Sequence, residues 1–202
     1  MMARLPARRQ LARWVTEILA PAPLTVLAVL VVAWVAAPTP GQALRWGLVG
    51  ALFAPLLPFL HLVRQVRRGR VTDHHVMRRE QRPRILLLAL ASGLAGAALF
   101  AMLGAPPALV ALMIAGVSGI GVALLITLRW KISVHVGALA GIIVVCTILI
   151  GPQALIVAPL VPLVAWARVE LGAHTPAQAI AGGVIGALVS GAAYLFARAV
   201  LG

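Results

Sequence analysis

The chain is predicted to be all-α: a polytopic bundle of six to seven transmembrane helices preceded by a basic interfacial helix. Three observations predict it. Of 202 residues, 62% are hydrophobic and 10% charged, too little polar surface to coat a soluble fold of that size. The apolar residues come in runs of bilayer length. The basic residues gather between those runs. A net charge of +13 would suggest nucleic acid in a soluble protein. Basic clusters interleaved with spans favour anionic lipid headgroups and phosphate-bearing substrates instead, and no nucleic-acid partner is expected. Cys146 is the only cysteine, which excludes an intramolecular disulfide and a cysteine metal cluster.

Residues 1–20, with Arg4, Arg8, Arg9 and Arg13, read as a basic helix on the membrane surface. Residues 21–202 read as one transmembrane domain. Glu17 and Arg45 bracket 27 uncharged residues; a first span fits at about 22–38, turned by Pro38-Thr39-Pro40-Gly41-Gln42. The second, about 43–63, contains Pro55 and Pro58, which a membrane helix tolerates when neighbours satisfy the freed carbonyls. Residues 64–84 form the one long polar segment and stay outside the bilayer core. The 44 uncharged residues between Arg84 and Arg129 correspond to roughly 66 Å of helix, two crossings, with Gly104-Ala105-Pro106-Pro107 as the turn. Their glycines (Gly93, Gly96, Gly116, Gly119, Gly121) permit close helix packing. Between Lys131 and Arg168 the pattern repeats with 36 uncharged residues, a Gly151-Pro152-Gln153 turn and a short, kinked return leg at 154–167 carrying Pro159 and Pro162. A last span runs over about 177–200.

Parity then places the charges. Each apolar block between basic clusters is a there-and-back pair, so the N-terminal helix, the 64–84 loop, Arg129–His135 and Arg168–His174 return to one face. Of the 17 Lys and Arg, only Arg45 and Arg198 fall on the other side. The positive-inside rule makes the crowded face cytoplasmic, and the expected location is the plasma or inner membrane of a prokaryote.

Three clusters on that face can carry chemistry. Arg168 offers a planar fork for phosphate, and His174 and Gln178 share a helical face four residues apart. A histidine that accepts a phosphoryl group needs a neutral nitrogen, a partner on its other nitrogen and cations around the phosphate oxygens. Alone, this cluster reads equally as an interfacial anchor and a helix cap. In Arg129-Trp-Lys131-Ile-Ser133-Val-His135, Ser133 and the start of a helix can bind an anion and His135 can protonate a leaving alkoxide; the plainer reading is an interfacial belt. The segment Asp73-His74-His75 through Arg78, Arg79, Arg82 and Arg84 reads as a solvated basic loop. Asp73, His74 and His75 could also be metal ligands, but adjacent side chains rarely converge on one ion without further ligands. No metal and no cofactor is expected.

Together the clusters resemble the three-part signature of the type 2 phosphatidic acid phosphatase superfamily of membrane lipid phosphatases: K-x6-R-P, P-S-G-H and S-R-x5-H-x3-D. Here the parts read His75-x6-Arg82-Pro83, then Ile132-Ser133-Val134-His135, then Ala167-Arg168-x5-His174-x3-Gln178, with order and internal spacing kept over about 73–180. The resemblance implies a metal-independent hydrolase of a lipid phosphate or diphosphate, phosphatidate or isoprenoid. In that reading His174 is the nucleophile that becomes phosphohistidine, His135 the acid, and Gln178 the orienting group. His75, Arg82, Lys131, Ser133 and Arg168 would hold phosphate, with Asp73, Arg78 and Glu170 in support. Five positions depart from the signature: His75 for Lys, Ile132 for Pro, Val134 for Gly, Ala167 for Ser and Gln178 for Asp. The alternative is a member without turnover that binds anionic lipid or a partner protein.

Overall fold

A computed structural model describes residues 6–202; Arg4, expected in the basic helix, lies outside the described residues. All regular structure in that range is helical. Helix α1 (Ala7–Ile18) bends by 41° into α2 (Pro21–Ala36). Helix α3 (Pro40–Ala51) continues through a π turn (Leu52–Leu56) into α4 (Leu57–Arg67). After a polar loop follow α5 (Arg82–Met102), α6 (Pro107–Thr127), α7 (Val134–Ile150), α8 (Leu160–Glu170) and α9 (Pro176–Leu201). Proline opens α2, α3, α6 and α9, where its fixed φ is preorganised and its missing N–H costs nothing. Thr39, Ser133 and Thr175 cap α3, α7 and α9 through their hydroxyls.

Five helical units are long and apolar enough to cross a membrane, and the bent α1–α2 pair makes a sixth. Helix α7 has 17 residues, about 25 Å, and is the shorter apolar helix of the bundle. Outward-facing side chains are large and apolar, among them Trp34, Leu125, Ile156, Leu188 and Phe196. That exterior suits lipid, which satisfies no polar group. The expected turn at Gly104–Pro107 joins α5 to α6, with Gly104 at a left-handed φ of 69°. The return leg after Gly151 starts as a 3₁₀ segment (Pro152–Val157) before α8, as its prolines suggest. The polar loop is shorter than the 64–84 read from charge, because α4 runs to Arg67 and α5 begins at Arg82.

Pro55 and Pro58 place a π turn in the second span without breaking it. In the π turn the Leu57 N–H reaches the Leu52 carbonyl. The next carbonyl, Phe53, would need the N–H that Pro58 lacks. Ser92 of α5 donates to it at 2.6 Å, so a neighbour satisfies the freed group.

The closest backbone approach is not in the α5–α6 hairpin. Gly93 and Gly96 there face side chains of Val117, Met113 and Phe53, and Gly116 has open space. It lies between α7 and α9, where a Cβ on Gly186 would overlap the Gly137 backbone and one on Gly182 would sit 2.5 Å from the Ser133 carbonyl oxygen. Gly137 and Gly141 on one helix meet Gly182, Gly186 and Ser190 on the other, a small-xxx-small seam on both sides. Gly186→Leu is expected to destabilise the detergent-solubilised protein by about 1–3 kcal/mol or more through overpacking. Gly116→Ala should leave the melting temperature at or above wild type, and a thermal melt of the two variants checks this.

Candidate functional site

Helix starts and one helix end bring the site together. Ser133 caps α7, and its own N–H donates to the Gln178 carbonyl oxygen at 3.2 Å, so the first turns of α7 and α9 are tied. That tie sets His135, in the first turn of α7, near the residues that precede α9. Helix α8 ends in a left-handed turn at Gly172, φ 67°. The Ala173 and His174 N–H groups then fold back onto the Arg168 carbonyl oxygen at 3.0 and 3.2 Å, a glycine-based helix stop of the usual kind. The stop returns His174 over the arginine six residues before it.

Arg82 joins all three segments. Its Nε donates to the Val76 carbonyl oxygen at 2.9 Å, Nη1 to the Ile132 carbonyl oxygen at 2.8 Å, and Nη2 to His174 Nε2 at 3.3 Å. Arg82 is 5% exposed and Arg168 1%. Arg168 reaches the Met77 sulfur at 3.7 Å, and its Nε is buried without a partner. Neither guanidinium takes part in an ion pair among the described residues. Half-buried Lys131 shares this region; burial, then the charges of Arg82 and Arg168, lower its pKa. Three cations therefore crowd one site with no carboxylate in salt-bridge contact among the described residues, while Asp73 acts on all three from further off.

Burial pushes the His174 imidazole down to a pKa of about 3, with Arg82, Arg168 and Lys131 acting in the same direction. It is neutral at physiological pH, with Nε2 accepting from Arg82. Its Nδ1 is buried and has no hydrogen-bond partner, and the same is true of His135 Nε2. Half of the six buried unpartnered side-chain polar atoms among the described residues belong to His135, Arg168 and His174. Orphaned polar groups are rare in cores, so their concentration here makes this cluster the candidate site.

Other expected residues take other places. Gln178 commits its side chain to the helix start: its carbonyl accepts from the Thr175 N–H at 3.2 Å while its own N–H donates to the Thr175 hydroxyl at 3.3 Å, and from there its amide still favours the charged form of His174. This is a reciprocal capping box. Glu170 pairs with Arg8 at 2.8 Å and fastens α1 to α8. Asp73 accepts from the His75 and Met77 N–H groups, holding the loop instead of a catalytic histidine. Arg78 is exposed. His75 sits edge-on to His135, ring centres 5.2 Å apart, and donates to Glu17 at 2.9 Å. Burial lowers the His75 pKa, the Glu17 bond opposes this, and neighbouring His74 adds to it. Sequence reasoning missed Glu17, Met77 and the two carbonyls that Arg82 holds. Only Glu17 had a signal: it is an acid at the end of the basic helix that parity brings to this face.

Beside the site lies a chamber of about 590 Å³ between α2, the π turn, α5, α6, α7 and α9. Its wall is mostly apolar, and Glu17, His74, His75, Arg82, Ser133 and His135 line its polar end. Arg82 thus borders the chamber on one side and touches His174, which is not in the wall, on the other.

The depressed His174 pKa makes stability pH-dependent. Between pH 6.5 and about 3 the unfolded chain binds a proton that the folded chain does not, so stability falls as pH falls through that window. The melting temperature should drop from about pH 7 to about pH 4, and His174→Gln should drop less, by at most about 1.4 kcal/mol per pH unit. Parallel thermal melts check it. No family model, curated protein or solved structure matches this chain, so the chemistry of the site rests on its own geometry.

Proposed function

We propose that the protein is an integral membrane lipid phosphatase, hydrolysing a lipid phosphate or diphosphate through a phosphohistidine on His174. The observation that carries this reading is the pair of buried arginines, neither in a salt bridge among the described residues, around a neutral histidine. Burying a cation unpaired is costly, and an anion that enters between such cations recovers that cost. The resemblance to the type 2 phosphatidic acid phosphatases points to the same chemistry, and the apolar chamber beside Arg82 suits the lipid part of the substrate.

In this mechanism the phosphate enters from the polar end of the chamber, and its oxygens take the Arg82 N–H now given to His174. Freed, Nε2 attacks phosphorus in line. The bond to the leaving oxygen breaks, and the proton that the phosphate monoanion brings in passes through His135 to that oxygen. Arg82, Arg168 and Lys131 hold the charge on the equatorial oxygens, which is the main contribution a protein makes to phosphoryl transfer. Water, deprotonated by His135, then attacks the phosphohistidine and releases phosphate. No step requires a metal.

One feature favours a second reading. The capping box leaves His174 Nδ1 without an orienting carboxylate, as expected of a relative that binds anionic lipid without turnover. Purified protein incubated with phosphatidate and isoprenoid phosphates in chelator separates the two. The phosphatase reading expects phosphate release, a loss of at least about a thousandfold in His174→Ala and of about 10²–10³-fold in Arg168→Lys. Full activity in His174→Ala sinks the mechanism; binding without release establishes the second reading.

We also propose that the site face is cytoplasmic, from the charge asymmetry across the bundle. In a Cys146→Ser background, Arg70→Cys should react with an impermeant thiol reagent only after the membrane is opened, and Gly41→Cys in intact cells.

A further inference from the structure

Neighbouring side chains such as Asp73, His74 and His75 usually diverge, and they need a further ligand nearby to hold an ion. The fold removes both obstacles. Asp73 turns its carboxylate onto the His75 and Met77 N–H groups, and Val76 takes a left-handed φ of 47°. In this tight loop the His74 and His75 rings lie side by side, centres 4.1 Å apart. The further ligand comes from α1. Glu17 Oε1 lies 3.0 Å from His74 Nε2 and 2.9 Å from His75 Nε2. In a chain with 17 Lys and Arg and four acids, this carboxylate is met by two imidazoles and not by an arginine.

We propose that Glu17, His74 and His75 form a binding site for a divalent first-row transition cation of the zinc class. The three donor atoms lie within 4.8 Å of one another. Tetrahedral bonds of about 2.0–2.1 Å place ligands about 3.3 Å apart, so the two Glu17–histidine distances need to open by only a few tenths of an ångström to admit an ion. Two imidazoles and one carboxylate suit zinc-like ions and not magnesium or calcium, which take oxygen ligands. Three protein ligands leave a coordination position open, and these residues line the polar end of the chamber. Behind them His135, 8% exposed, packs against His75 and has a buried Nε2 without a partner. Binding releases the ring protons that now face the carboxylate. Since α1 supplies Glu17 and the loop supplies both histidines, the ion would also pin the N-terminal helix over the chamber mouth.

The site stands whether or not the phosphatase reading holds, and its test does not use turnover. Tag-free, full-length protein in detergent is titrated with Co²⁺, reading the visible absorption of tetrahedral or five-coordinate cobalt and the binding constant. One equivalent should bind. Glu17→Gln and His75→Ala should each weaken binding at least about tenfold, with helicity checked by circular dichroism. Glu17→His, which keeps a donor at that position, should retain most of it. His61→Ala serves as control, because His61 bonds Gln65 on its own helix at 2.9 Å, and should bind as wild type. Equal cobalt affinity in wild type and Glu17→Gln, or a loss in His61→Ala as large as in His75→Ala, overturns the proposal.

Discussion

One guanidinium holds this face of the molecule together. Arg82 divides its fork among a loop carbonyl, a carbonyl of the α6–α7 linker and the histidine that precedes α9. A lysine at that position carries a point charge and cannot make three bonds in fixed directions. The burial of the charge is offset by those bonds, yet it forms no salt bridge among the described residues. The helices around it can be apolar because a single polar residue ties their ends. Remove it and two carbonyls and one histidine lose their partner in a place where water is scarce.

The glycine seam between α7 and α9 does the complementary work. Where α7 and α9 touch backbone to backbone, their first turns cannot slide, and the Ser133–Gln178 bond fixes the register. His135 is thereby held at a set distance from the α8–α9 corner. The second span has a different character. There a π turn lines the chamber, and one of its carbonyls is satisfied by Ser92 of α5.

Much of this was legible in the chain, for identifiable reasons. Charge-free runs of 44 and 36 residues must cross twice, so the gathering of Arg82, Lys131, Arg168 and His174 follows from counting. Gly104 and Pro107 punctuate the turn because their backbone preferences are strong and local. Less legible was the choice among partners for one residue. Thr175 and Gln178 carry the capping-box spacing, a local interaction that commits the Gln178 carbonyl to the helix start although His174 stands only four residues before it. Glu170 was expected near the nucleophile, yet it faces α1, because which side of a short helix turns inward depends on packing. The meeting of Glu17 with His74 spans 57 residues and depends on the angle at which α1 lies on α8, which no spacing rule encodes.

The three bonds of Arg82 also set an order of events during synthesis. Its loop partner Val76 has already been made when Arg82 leaves the ribosome, but Ile132 lies 50 residues later and His174 92 residues later. At about 5–20 residues per second the last partner arrives roughly 5–20 s after the arginine. Through that interval the guanidinium stays hydrated at the membrane edge. A charge waiting there keeps α5 from sinking past its start, so its register is set before the bundle closes around it. The nascent protein is without its site until the α8–α9 corner has been delivered to the correct side, and assembly of the bundle and completion of the site become one event.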